Sequence, residues 1–169
     1  DAPEVAFELL FVVPGTFLNT SSTQIRARLV ESLEKGEIEK VLDDMQLFLG
    51  VLSRAILPEE TGEALGFCGV IHWVLNNHAE AIRFFRSAMT QFIPGSHAYV
   101  ILRWMLGLAL FHRTAENYEA ISQMESSITE IDFLRRKAVQ KNQNNEANLY
   151  AAYHLAMRRV LRLKISNQA

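Results

Sequence analysis

The sequence predicts an all-α fold, organised as a stack of antiparallel helical hairpins. Three observations carry this prediction. Apolar residues recur at three- and four-residue spacing through most of the 169-residue chain, and only four prolines interrupt them. Short turn signals separate the periodic segments. A pattern of small residues around Gly69 also recurs around Gly107, and such a recurrence at about forty residues indicates a helical-repeat array.

The near-repeat places small and large residues at matched positions of two successive helices. In the first copy these positions are held by Gly69, Ala81, Phe85 and Ala88. In the second copy they are held by Gly107, Ala120, Met124 and Ser127. Small residues allow two helices to cross closely, and the large one fills the remaining gap.

Seven helices are predicted in chain order. The first starts at a capping box, residues 21–24, and stops at Gly36. The second follows at once, and its apolar residues are expected on one buried face: Ile38, Val41, Leu42, Met45, Leu49 and Leu52. The third starts at Pro58 and runs to about Asn76.

The fourth helix is expected to start with Asn77 and Glu80 acting as a second capping box, and to end before the Pro94–Gly95 turn. Ser96 is expected to cap the fifth, which extends to Phe111. The sixth opens at Thr114 or Ala115 and ends in a polar loop, residues 140–145. The seventh covers about residues 146–165.

Two segments follow from this assignment: residues 1–19 and a helical-repeat domain, residues 20–169. Val5–Val13 is apolar without a clear period, so an extended arm and the end of a preceding repeat both remain open. The chain begins at Asp1 without an initiator methionine, and we expect a fragment or a processed form.

Charge is distributed unevenly along the chain. Residues 1–134 hold nine Lys/Arg against eighteen Asp/Glu, a net charge of −9, whereas residues 135–169 hold eight against one, a net charge of +7. Such a division can steer partners or seat one end of a molecule against another. The alternative is a solvated basic face on the last helix.

The matched small, aromatic and small positions resemble the tetratricopeptide repeat (TPR). Gly69, Ala81, Phe85 and Ala88 follow the family pattern in one hairpin, with Pro94 one place late, and Gly107, Ala120, Met124 and Ser127 follow it in the next. The chain departs from the pattern at the tyrosine of the first helix, which is His72 in one copy and Leu110 in the other. The resemblance implies a right-handed superhelical stack of antiparallel hairpins with a concave groove.

Family grooves are lined by the first helix of each hairpin. Carried over to this sequence, the resemblance implies a partner-binding groove formed by Val70, Trp73, Val74, Ile101, Trp104, Leu108, Phe111 and His112. The first helix would add Arg26, Val30 and Leu33. A groove this apolar suits a peptide or a partner helix, with the tryptophans as anchors. The alternative is that the same stripe is ordinary core.

Signals of catalysis, cofactors and metals are weak. The five histidines include no pair at i, i+4 and no zincin arrangement, so no metal site and no cofactor is predicted. Cys68 is alone, lies on an apolar helix face and is expected to be buried and inert. A small all-α enzyme using His72 and His112 remains the weakest alternative.

The basic end is predicted to offer an electrostatic surface formed by Arg158, Arg159, Arg162 and Lys164. The sequence around them has no helix-turn-helix signature and few interleaved aromatics, which disfavours nucleic acid as the partner. An acidic protein surface, including the acidic half of a second copy, fits better. No apolar run approaches the ~18 residues that span a bilayer, so no membrane partner is expected.

The sequence therefore predicts a non-catalytic, cytoplasmic interaction or scaffold module that binds a protein or peptide. The alternative in the binding class is the effector-sensing domain of a larger bacterial signalling ATPase or transcription regulator.

Overall fold

The computed structural model describes residues 20–52, 58–111 and 118–167. Within them the chain is all-α, with seven helices and no strand. The helices are α1 (Thr20–Lys35), α2 (Ile38–Leu52), α3 (Pro58–Val74), α4 (His78–Met89), α5 (His97–Phe111), α6 (Tyr118–Gln140) and α7 (Asn144–Ser166). None of the described helices is both long enough and apolar enough to cross a membrane. The seven predicted helices are thus confirmed, although α1 already begins at Thr20, so that the predicted capping box at residues 21–24 lies inside the helix, and α7 begins two residues before the predicted start.

The chain divides into two compact units, residues 1–93 and residues 94–169. The first contains α1 to α4 and the second contains α5 to α7. The predicted segment 1–19 lies outside the described residues, so its assignment as an arm or a repeat end stays a prediction.

Three inter-helix turns have the same backbone hydrogen-bond pattern at the end of the preceding helix. After α1, the Glu37 amide donates to Ser32 O (3.0 Å) while Gly36 adopts a φ of +73°. After α3 and α6 the αL residues are Asn76 (φ +63°) and Asn142 (φ +57°), with the same pair of hydrogen bonds around them. Glycine and asparagine are the residues that tolerate this conformation at a helix end. The predicted stop at Gly36 is confirmed, and two asparagines perform the same role in the other turns.

Helix starts follow the sequence in one case and depart from it in another. The Tyr99 amide donates to Ser96 Oγ (3.4 Å), so Ser96 caps α5 as predicted. The predicted capping box at Asn77 does not form, since the Asn77 side chain makes no cap hydrogen bond. Its Nδ2 lies 3.5 Å from His72 Nδ1, and Glu80 pairs with Arg83 instead.

The core of the first unit brings three helices together. Leu29 of α1, Val41 and Phe48 of α2, and Phe67 and Ile71 of α3 belong to one buried cluster, with Val30 and Leu33 packed at its edge. The Phe48 and Phe67 rings meet edge to face at 5.9 Å. Fully burying such side chains contributes about 1.5–3 kcal/mol each.

The buried face of α2 differs from the predicted one. Val41 and Met45 are buried as predicted, but Ile38 and Leu42 are exposed. Asp44 lies on the buried side instead, where the Arg28 guanidinium of α1 donates to its Oδ1 at 2.7 Å. The helix is therefore rotated so that an acidic and apolar stripe faces outward.

The second unit is a three-helix arrangement in which α5 and α7 both pack on α6. At one end of α5, His97 Nδ1 lies 3.2 Å from the Tyr150 hydroxyl of α7. At the other end, the Lys164 ammonium lies 5.7 Å from the centre of the Phe111 ring. Because residue number rises in the same direction along both helices at these contacts, α5 and α7 are parallel neighbours.

Both hairpins of the near-repeat show the close crossing that the small residues predict. A Cβ added at Gly69 of α3 would lie 2.6 Å from Cε1 of Phe85 in α4. A Cβ added at Gly107 of α5 would lie 2.5 Å from Cγ of Met124 in α6. The glycine and the large residue at matched positions thus face each other in each unit.

Candidate functional site

The groove positions of the first unit are mostly buried. Val70 is buried, Val74 is half-buried, and Trp73 is only 6% exposed. The Trp73 ring meets the His78 ring at 6.4 Å with its plane turned by 73°. The conformation described leaves little of this stripe for a partner to contact.

The groove positions of the second unit are buried more deeply. Ile101, Trp104 and Leu108 are buried, with Trp104 at 0% exposure, and Phe111 is half-buried beneath Lys164. His112 lies outside the described residues. A partner would reach these side chains only after the unit opens, so their role in binding stays a prediction.

The indole of Trp104 carries a polar group that the core does not satisfy. Its Nε1 is buried, and no acceptor lies within hydrogen-bond distance of it in the described part of the chain. An unpaired buried N–H costs about 1–3 kcal/mol. A water molecule or a bound acceptor would remove this cost.

The strongest exposed feature is the outer face of α7, which we define by Leu155, Arg158, Arg159, Arg162 and Leu163. All five side chains are exposed, and Leu155 reaches 69%. At 100° per residue, Leu155 lies near the middle of this face with the three arginines around it. No carboxylate of the described residues forms an ion pair with any of the three guanidinium groups.

Three other cations of the basic end are engaged within the unit. Arg135 and Arg136 pair with Asp132 at 2.9 Å and 2.7 Å. Lys164 is half-buried and turned toward Phe111, so it lies apart from the three arginines with which the sequence groups it. The available positive charge is therefore concentrated on the outer face of α7.

The outer face of α2, defined by Ile38, Glu39, Leu42 and Asp43, has the opposite charge. All four side chains are exposed, with Ile38 at 47%. Ile38 and Leu42 are one helical turn apart, and Glu39 and Asp43 form a second pair at the same spacing. An open depression of about 470 Å³ lies at this face, with Glu37 and Lys40 also in its lining.

Sequence reasoning predicted the arginines of the α7 face but missed its leucines, and it missed the α2 face. Leucine and isoleucine at helical spacing normally indicate core, and period alone does not say which of two adjacent stripes faces a neighbour. The signal that was available is the alternation of apolar residues with unpaired charges on one stripe, which a core stripe does not tolerate.

A titratable cluster joins α5 and α7. His97 contacts the Tyr150 hydroxyl and lies 6.4 Å, ring to ring, from Tyr153. Burial lowers the pKa of His97 and is the main cause that raises the pKa values of Tyr150 and Tyr153. All three groups are thereby favoured in their neutral forms, as suits a packed contact between helices.

The remaining candidates for chemistry are separate. His72 stacks on Phe84 at 5.1 Å, and burial lowers its pKa. Cys68 is fully buried, as predicted, and burial raises the pKa of its thiol to about 12. No group of three or more His, Cys, Asp or Glu that could hold a metal ion is found in the described ranges.

Comparisons with protein-family models, with curated protein sequences and with solved structures return no match to this chain. In the part of the chain that the structure describes, the fold is all-α and neighbouring helices pack against each other, which is compatible with a helical repeat.

Proposed function

We propose that this chain is a non-catalytic protein–protein interaction module built as a TPR-like helical array. Two matched hairpins with a glycine facing a large side chain support the repeat architecture. The parallel placement of α5 and α7 on α6 also supports it, because stacked hairpins set their first helices side by side in this way.

The observation that carries the proposal is the outer face of α7. An exposed leucine surrounded by three unpaired arginines combines apolar area with arginine, a residue type enriched among the side chains that supply most of the binding energy of an interface. A solvated helix face would favour charged or polar residues at the Leu155 position. The charges would steer the partner, and the leucines would hold it.

The partner that this face suits is an acidic amphipathic helix or a similar acidic protein surface. Carboxylates would meet the arginines in bidentate pairs, and an apolar side chain would cover Leu155. Exposed ion pairs contribute about 0.2–1 kcal/mol each and weaken with salt, so we expect salt-sensitive binding. The apolar groove that the TPR resemblance implies would be a second surface, available after the buried stripe opens.

The test is site-specific photo-cross-linking with the full chain in its native cell extract. A benzophenone side chain replaces Leu155, and the control carries it at Ser122, an exposed position on α6. We expect a defined protein adduct at Leu155 that is lost at high salt and in the background Arg158→Gln with Arg162→Gln. Equal adducts at both positions, or none at Leu155, would overturn the proposal.

One observation favours the effector-sensing alternative. The unpaired Nε1 of Trp104 offers a donor inside the second unit, and a small ligand with a carbonyl or carboxylate could accept it. A sensor would show a ligand-dependent rise in melting temperature that is lost in Trp104→Phe, which keeps an aromatic ring but removes the donor. A rise that is the same in both proteins would exclude Trp104 as the contact.

A further inference from the structure

The two outer faces form a complementary pair within one sequence. The α2 face has two apolar side chains beside two carboxylates, and the α7 face has two leucines beside three guanidinium groups. The side chains of both faces are exposed. The charge of each face has the same sign as the net charge of its unit: residues 1–93 carry a net charge of −6, and residues 94–169 carry a net charge of +4.

The charges on the two faces are available for a partner. In the described part of the chain, no cation pairs with Glu39 or Asp43, just as no carboxylate pairs with the α7 arginines. Beside the α2 face, surface charges are paired locally, as in Lys40 with Glu37 at 3.2 Å. On both faces, unpaired charges therefore lie beside exposed apolar residues.

The residues that line the α2 depression also suit the side chains of the α7 face. The depression at the start of α2 is open and lined by three carboxylates, Ile38 and the stem of Lys40. A projecting leucine with arginines on either side presents the matching set: an apolar tip for Ile38 and Leu42, and cations for Glu39 and Asp43. Opposite charges around an apolar centre are the usual arrangement of a polar-rimmed contact.

We propose that the outer face of α7 binds the outer face of α2 of a second copy of this chain. This inference rests on the proposed function, because it names the partner of the same face. The contact is heterologous, because it joins the α7 face of one copy to the α2 face of another. In such a pair, the first copy still has a free α2 face and the second a free α7 face. Such contacts produce open chains or closed rings, not isologous dimers.

The size of the faces sets the expected strength. Two helix faces are smaller than the ~1,600 Å² of a standard stable interface, so the association is weak and reversible. Raising the salt concentration from about 0.1 M to about 1 M shortens the Debye length from about 10 Å to about 3 Å and should dissociate the assemblies.

The experiment is analytical ultracentrifugation of the full chain across a wide range of protein concentration. One variant removes charge from the α7 face (Arg158→Gln with Arg162→Gln), and another removes it from the α2 face (Glu39→Gln with Asp43→Asn). Each should weaken self-association about tenfold, since two exposed ion pairs are lost. All four positions are exposed on helices, so the changes leave the core untouched.

Mixing the two variants gives the decisive result. The α7 variant keeps an intact α2 face, and the α2 variant keeps an intact α7 face, so an equimolar mixture should form one-to-one dimers that do not grow. Matched controls remove the same charge elsewhere: Lys137→Gln with Lys141→Gln, and Glu119→Gln with Glu125→Gln. Both controls should assemble like the unmodified chain.

Three results would overturn the inference: a monomer at every concentration, assembly that neither variant weakens, or a mixture that stays monomeric. A more compact monomer without any rise in mass would assign the two faces to each other within one chain and would also overturn it. If the Leu155 adduct described above contains a different protein, the proposed function stands and this inference fails. If no salt-sensitive adduct forms, both fail.

Discussion

The α3–α4 and α5–α6 hairpins solve the same packing problem with different side chains. Each places a glycine against a large residue of the second helix, but the filler is the rigid ring of Phe85 in one and the flexible chain of Met124 in the other. The last small position also differs: Ala88 in the first hairpin, and in the second Ser127, whose hydroxyl donates to Val100 O at 3.2 Å. The repeat therefore conserves volume at each position and not chemical identity.

The largest effect should come from removing the ring that fills the first hairpin. Phe85 is fully buried, so Phe85→Ala should lower the free energy of unfolding by about 3–5 kcal/mol through lost burial and a cavity. Its neighbour Phe84 is half-buried and stacks on His72, so Phe84→Ala should cost only about 1 kcal/mol. Urea unfolding followed by circular dichroism measures both. Similar losses would show that Phe85 is not the filler of this hairpin.

Methyl groups added at the two glycines should separate the hairpins. The three atoms nearest to the methyl group of Gly69→Ala all belong to the Phe85 ring, whereas Gly107→Ala also meets backbone, with Ala120 O at 3.1 Å and Met124 N at 3.3 Å. Overpacking costs about 1–3 kcal/mol, partly offset by the helix propensity of alanine. Moving a whole helix costs more free energy than tilting one ring. We therefore expect Gly107→Ala to lower the free energy of unfolding more than Gly69→Ala does.

A double-mutant cycle sharpens this difference. Phe85→Leu should relieve much of the cost of Gly69→Ala, with a coupling of about 0.5–3 kcal/mol. Met124→Ala should relieve less of the cost of Gly107→Ala, because the backbone contacts remain. Equal relief at both sites would mean that the side chains alone limit both crossings.

The free energy of unfolding of the second unit should depend on pH because of His97. Burial lowers its pKa below the usual 6.5, so the unfolded chain takes up the proton first as pH falls. The stability is therefore complete above about pH 6.5 and is lost as pH falls through that value, by at most about 1.4 kcal/mol per pH unit for one group. His97→Gln should flatten the profile of unfolding free energy between neutral and mildly acid pH. His72 and His78, also lowered by burial, will leave a residual slope.

The smallest effect should come from removing the hydroxyl at the last small position of the second hairpin. Ser127→Ala removes hydrogen bonds to Val100 O and Gln123 O, which should cost about 0.5–1.5 kcal/mol. In the first hairpin Ala88→Ser would bury a hydroxyl, and its cost should not exceed about 3 kcal/mol. The same urea titration reads both. No loss in Ser127→Ala would indicate that the hydroxyl adds nothing beyond its volume.

Local signals explain how much of the fold the sequence predicts. Gly36, Pro58 and the Pro94–Gly95 turn each act within a few residues, and the helices end or begin there as predicted. The glycine-to-Phe85 contact was predictable because small and large residues recur in register. These features need no knowledge of what lies across the chain.

Contacts that depend on distant elements could not be predicted in the same way. His97 and Tyr150 are 53 residues apart, and nothing in either local sequence specifies the other. The rotation of α2 that exposes Ile38 and Leu42 places Asp44 on the inner side, where it accepts a hydrogen bond from Arg28 of another helix. For the candidate site, the sequence predicted only a positively charged surface. The three arginines are indeed exposed, but no role was assigned to the leucines among them.

The burial of Cys68 provides a native probe of local opening in the first unit. Its thiol is inaccessible and its pKa is raised to about 12, so reaction with a thiol reagent at neutral pH requires α3 to separate from its neighbours first. As the only cysteine of the chain, it reports opening of one helix without any substitution. The labelling rate then measures how often the first unit opens locally around α3. A lower rate in the presence of a partner would show that binding at a distant face slows this opening.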